Sequence, residues 1–118
     1  MLLKNNFQFL LGKILDRITF TTGNSSARRD DLINIGMFDE NYCGWGIEDV
    51  DLGYRLMNSG VMVKRDLHLA NYHLVHPVNI QNKKEEYRRN FNYFARKIKN
   101  DKVSIYMTRL INQFFASW

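Results

Sequence analysis

Cysteine occurs once, as Cys43, so no internal disulfide can staple this chain. A lone thiol fits a reducing compartment. Cys43 reads as a small buried apolar residue rather than a nucleophile. No run of about 18 apolar residues is present, so no segment reads as a membrane span. The opening MLLKNNFQFLLGKIL is broken by Lys4 and Lys13, and no small-residue cleavage site follows. That argues against a signal peptide. The expected location is the cytoplasm, with at most peripheral attachment to the inner face of a membrane. Proline also occurs once, as Pro77, and there are seven glycines. No repeat or low-complexity tract is visible.

Basic residues are missing from one region in particular. Residues 30–51 hold seven acids and no Lys or Arg, whereas residues 64–109 hold eleven bases and four acids. The chain as a whole carries +5. An acidic block repels phosphate and nucleic acid unless a cation sits beside it. It reads as a metal and hydroxyl site, and the basic tail as solvated helix faces. Bases in the tail do alternate with Tyr87, Phe91, Tyr93 and Phe94, a pattern that can suit nucleic acid or anionic lipid. Those rings follow a helical stripe, however, which points to core, so no nucleic-acid partner is expected.

At 118 residues and 45% hydrophobic content, the chain suits one small globular domain. Three parts are expected. Residues 1–17 form an N-terminal helix with Leu3, Phe7, Leu10, Leu11 and Ile14 on one face. Residues 18–78 form an α+β core. Residues 79–118 form C-terminal helices. Strands are expected at 18–22, where ITFTT is β-branched and aromatic, and at 61–66 and 68–74, with a short resumption at 25–28. Asp30 or Asp31 is placed to cap a short helix running to Ile35 and closed by Gly36. Helices are expected at 47–59, stopped by Gly60, at 80–99 and at 103–115. Three or four short strands make a poor sheet alone, so they are expected to extend a larger one.

Residues 43–55 read CGWGIEDVDLGYR. On a wheel of 100° per residue, Glu48, Asp51 and Arg55 share a polar arc, and Asp49 falls among apolar positions. A carboxylate there has to be paired, hydrogen-bonded or near a cation. Acids also favour a helix N-terminus for the dipole alone, at about 0.3–1 kcal/mol each. That explanation accounts poorly for an inward Asp49. It also leaves Trp45, bracketed by Gly44 and Gly46, as either a core plug or a ring at a cleft. A general base has to reach an acceptor hydroxyl, and a carboxylate beside an aromatic shelf meets that need. In NYHLVHP, His73 and His76 stand three apart. Such a pair can ligate a divalent metal or be two partly buried histidines with hydrogen-bond partners.

The stretch TGNSSARR…GMFDENYCGWGIEDVDLGYRLMNSG…NYHLVHP resembles the C-terminal galactosyltransferase-like region of inverting glycosyltransferases with the GT-A fold. Its likes occur in β-1,4-galactosyltransferases, chondroitin polymerases and bacterial polysaccharide transferases. The resemblance covers roughly residues 18–99, and its heart is WG-x-E-D-x-D/E-x-x-x-R. It implies the C-terminal, acceptor-side half of a GT-A fold and transfer of a hexose or N-acetylhexosamine from a nucleotide-sugar donor to a glycan acceptor. By the same resemblance, Asp49 is the base and Glu48 its acidic companion at the acceptor site. Trp45, with Gly46, contacts the sugars, and Gly23 and Asn24 form the turn facing the sugar-nucleotide. Asp51 and Arg55 are counted with the substrate-binding residues. His73 and His76 are the metal ligands, for Mn²⁺ or Mg²⁺.

The sequence departs from that pattern before residue 18, where no Asp-x-Asp metal motif or nucleotide-binding half appears. The Asp49-Val-Asp51 triplet sits on a helix and belongs to the acceptor motif. The expectation is a half-domain, either a fragment, a truncated gene product or a subunit completed by another chain or a second copy through exposed apolar surface, with a non-catalytic glycan-binding remnant or a subunit needing a partner chain as the alternative.

Overall fold

The computed structural model describes residues 11–66, 68–72, 74, 76, 77 and 79–115, and for 112, 114 and 115 the backbone alone. Residues 11–18 are helical and form α1. A short 3-10 turn, Thr22–Asn24, follows. Then come α2 (Arg29–Asn34), α3 (Glu48–Asn58), α4 (Ile80–Lys97) and α5 (Lys102–Phe115).

The three long helices fall where apolar periodicity places them, and local chemistry explains their ends. Asn79 caps α4 by accepting a hydrogen bond from the Asn82 amide at 3.2 Å. Asp101 caps α5, receiving the Ser104 amide at 3.0 Å and the Ser104 hydroxyl at 2.8 Å. Burial pushes the Asp101 carboxyl up. The two Ser104 donors, the Tyr54 hydroxyl and Arg17 outweigh that and hold it below the usual range. α3 ends on Gly60, whose φ of 98° suits the left-handed turn that closes helices. The Val61 amide then reaches back to the Leu56 carbonyl at 3.2 Å.

Three expectations are corrected. Among the described residues no strand forms. Residues 61–66 run without regular structure, and α1 continues into the stretch read as strand 18–22, which then passes into the 3-10 turn. β-branched composition favours a pleated surface, but a strand needs a neighbour to supply its hydrogen bonds. Neither Asp30 nor Asp31 caps α2. Arg28 holds the cap position without a side-chain hydrogen bond, and the aspartates lie in the first turn. Cys43 is exposed, not buried. Of the N-terminal helix expected at 1–17, residues 1–10 lie outside the described residues.

The core is the contact of α3 with α4 and α5. Ile47, Phe91, Phe94 and Ile98 form its centre, with Val50, Tyr54, Ala95 and Ile105 packed around them. Tyr54 meets Phe94 edge-on, with ring centroids 5.7 Å apart. The other side of α3 receives Phe20. A Cβ at Gly53 would lie 2.3 Å from the Phe20 Cβ, so only glycine lets the chain after α1 cross here. Covered on both sides, α3 leaves only Asn58 exposed. No helix among the described residues is long and apolar enough to cross a membrane.

Candidate functional site

The acidic pair and the tryptophan flank the start of α3, and the chain reaches that point through unusual backbone. Gly44 and Gly46 have φ of 75° and 93°. Ile47, the residue before the helix, sits at φ 78°, a strained conformation for a β-branched side chain. Burial of Ile47 in the core offsets that strain. The loop therefore turns sharply, leaving the Trp45 ring outside at 44% exposure while Ile47 points in.

Asp49 Oδ2 accepts two hydrogen bonds from Thr22, the amide at 2.9 Å and the hydroxyl at 3.1 Å. The 3-10 turn is thereby docked on the first turn of α3. The same turn is tied to the segment before His73. The Asn71 side chain donates to the Gly23 carbonyl at 2.9 Å, and the Asn24 side chain to the Leu69 carbonyl at 3.1 Å. Gly23 and Asn24 thus stand between Asp49 and residues 69–71. Burial, then the adjacent Asp49 carboxylate, raises the Glu48 carboxyl above its ordinary value. The Glu48 and Gly46 amides pull the other way. Glu48 Oε2 is buried and accepts no hydrogen bond from the described residues. Glu48 and Asp49 are thus adjacent carboxyls in unlike surroundings, one largely without donors and one held by Thr22.

The wheel orientation of α3 is corrected. Asp51, expected on a polar arc, is 1% exposed, while Asp49 is only partly buried. Asp51 pairs with Arg55 Nε and with Lys97 Nζ, each at 2.7 Å. Lys97 also pairs with Asp39 at 2.6 Å, and Tyr93 donates to the same Asp39 oxygen at 3.1 Å. The Lys97 hydrogen bond, more than any other contact, holds the Asp39 carboxyl well below the usual range. Arg55 reaches the Ile35 carbonyl at 2.8 Å. Asp51 is enclosed by cations inside the fold, and Arg55 uses Nε and Nη1 beside it while its buried Nη2 has no hydrogen-bond partner among the described residues.

His73 lies outside the described residues. His76 is exposed, with Nδ1 3.2 Å from the Leu74 carbonyl. Among the described residues no three His, Cys, Asp or Glu side chains come together as a metal site. A groove of about 760 Å³ runs between residues 16–27 and residues 56–66 with Leu69. Asn24 lines it, but Trp45, Glu48 and Asp49 do not.

Sequence reasoning missed the second ring of residues. Thr22 was read as strand, and nothing local marks it as the partner of a residue 27 positions away. Glu86 and Asn90, which bond the Trp45 loop from α4, had no signal beyond their helical setting.

Residues 11–77 match the family model described as the N-terminal domain of galactosyltransferase. Among curated proteins, the chain is 35% identical over 81 residues to an uncharacterized glycosyltransferase of Bacillus subtilis (strain 168), covering 69% of this chain and 20% of that protein. It is 39% identical over 51 residues to chondroitin sulfate synthase 3 of Homo sapiens, covering 43% and 6% respectively. It is 48% identical over 42 residues to validoxylamine A glucosyltransferase of Streptomyces hygroscopicus subsp. jinggangensis, covering 36% and 10%. The chain therefore spans a fifth or less of the length of these relatives. No solved structure matches it.

Proposed function

Since the chain belongs to the galactosyltransferase family whose model spans residues 11–77, we propose that it is the acceptor-side, C-terminal half of an inverting GT-A glycosyltransferase. The whole enzyme transfers a hexose or N-acetylhexosamine from a nucleotide-sugar to a glycan hydroxyl. The nucleotide-binding half comes from further sequence or from a partner chain. The observation that carries this reading is the Asp49 carboxylate, oriented by both Thr22 donors at the head of α3, next to Glu48 and just after the exposed Trp45.

Trp45 offers a ring face to a sugar. Asp49 takes the proton of the acceptor hydroxyl as its oxygen attacks the anomeric carbon. The bond from that carbon to the nucleoside diphosphate breaks, and the diphosphate leaves with the electron pair. Attack opposite the leaving group inverts the anomeric centre. Gly23 and Asn24, fixed between Asp49 and residues 69–71, face the donor. A divalent cation, Mn²⁺ or Mg²⁺, belongs to the proposal with His76 and His73 as its ligands, and would neutralise charge on the diphosphate. The described residues do not by themselves assemble a metal site.

The relatives include a glucosyltransferase and a chondroitin sulfate synthase, so they favour no single sugar. The test is a transfer assay with the full-length protein, a panel of nucleotide-sugars and glycan acceptors, and NMR of the new anomeric proton. An inverted linkage supports the reading. A retained configuration, or glycan binding with no transfer from any donor, overturns it.

A further inference from the structure

The loop carrying Trp45 is held by α4, a helix that begins beyond the segment the family model matches. Glu86 Oε2 accepts the Trp45 backbone amide at 2.8 Å. The Glu86 side chain also fills the space beside Gly44, where an added Cβ would lie 2.4 Å from its carboxyl carbon. Asn90, 2% exposed, donates to the Gly46 carbonyl at 2.9 Å and to the Trp45 carbonyl at 3.4 Å. Arg89 donates to the Cys43 carbonyl. Around the ring itself, Tyr87 lies 6.1 Å away centroid to centroid, and Lys83 Nζ lies 4.8 Å from the indole centroid. One face of one helix therefore meets the polar backbone of residues 43–46 and flanks the indole.

We propose that Glu86 and Asn90 are positioning residues that fix the 43–46 loop and so aim the Trp45 ring at the acceptor sugar. The physical reason is that this loop cannot hold itself. Glycines at 44 and 46 are conformationally permissive, and the left-handed Ile47 stores strain that any freedom in the loop would release. Side-chain bonds from α4 replace the secondary structure that the loop lacks, and they reach the backbone rather than the indole. An apolar residue at position 86 would leave the Trp45 amide without its acceptor and open the space beside Gly44. Substrate contact stays with Trp45, and α4 sets where that contact is made.

This inference rests on the function proposed above, so its test has one readout that needs no substrate. In Glu86→Ala, hydrogen exchange at the Trp45 amide is expected to rise at least tenfold relative to the amides of α3, and Glu86→Gln, whose side-chain carbonyl still accepts, restores protection. In the full-length enzyme, Glu86→Ala is expected to raise the acceptor KM at least fivefold with donor KM unchanged, and Glu86→Gln to recover most of it. Unchanged exchange at Trp45 overturns the hydrogen-bond hold. Exchange that rises equally throughout α3 overturns it too, as global loosening. Raised exchange at Trp45 with unchanged acceptor KM overturns the positioning role. If no donor is ever transferred, the proposed function fails, yet the exchange result still judges the hold of α4 on the loop.

Discussion

Lys97 is the hinge of the interior charge network, and replacing it by methionine isolates that network with little change in shape. Methionine keeps an unbranched, largely apolar stem in place of that of Lys97. It removes the ammonium that Asp51 and Asp39 share at 2.7 and 2.6 Å. Asp51 keeps Arg55 but loses half of its compensation while 1% exposed. Breaking a fully buried pair costs about 3–5 kcal/mol, and an exposed pair is worth at most about 1 kcal/mol. Lys97 is 26% exposed, so the loss should fall between, at about 2 kcal/mol. For a domain of this size that corresponds to a fall in Tm of about 6–10 °C. The pH dependence adds a second signature. A carboxyl held low in the folded state stabilises it fully above the ordinary carboxylate range, near pH 4, and that stability is lost as pH falls toward the lowered value. Without Lys97, Asp39 moves back toward its ordinary value, so the acid limb of stability becomes shallower. Circular-dichroism melts from pH 7 to pH 3 read both effects. A Tm within 1 °C of the parent at pH 7, with an unchanged acid limb, would refute the reasoning.

Other substitutions probe other parts of the fold. Gly53→Ala places a methyl 2.3 Å from the Phe20 Cβ, and the forced displacement should cost about 1–3 kcal/mol in denaturant unfolding. Asp101→Ala removes the α5 cap together with the 2.9 Å bond from the Tyr54 hydroxyl, and should cost about 1–2 kcal/mol. That cost is expected at pH 7 and should shrink as pH falls through the low range in which Asp101 protonates, since its folded carboxyl is held down.

The helices were legible because their signals are local. Phe91, Phe94 and Ile98 recur at helical spacing and Gly60 stops α3, and the structure honours both. The orientation of α3 was not legible, because a wheel assumes one buried face. This helix has Phe20 against Gly53 on one side and α4 on another, so Asp51 is interior and its countercharges arrive from Lys97, 46 residues later, as well as from Arg55. The strands at 18–22 and 61–66 were read from composition, which reports willingness to pair but supplies no partner. At the site, CGWGIED was readable as a motif. The Thr22 donors on Asp49 and the Glu86 acceptor for Trp45 were not, since both bridge long separations in sequence.

Asp49→Asn in the full-length protein, assayed for transfer turnover alongside equilibrium binding of the nucleotide-sugar, tests the central claim most directly. Asparagine is nearly isosteric and can still accept from Thr22 through its carbonyl, so the fold and the donor site should persist. Loss of a general base is expected to lower turnover by about 10²–10⁴-fold, with donor affinity unchanged. Turnover equal to that of the parent would contradict a proton-accepting role for Asp49.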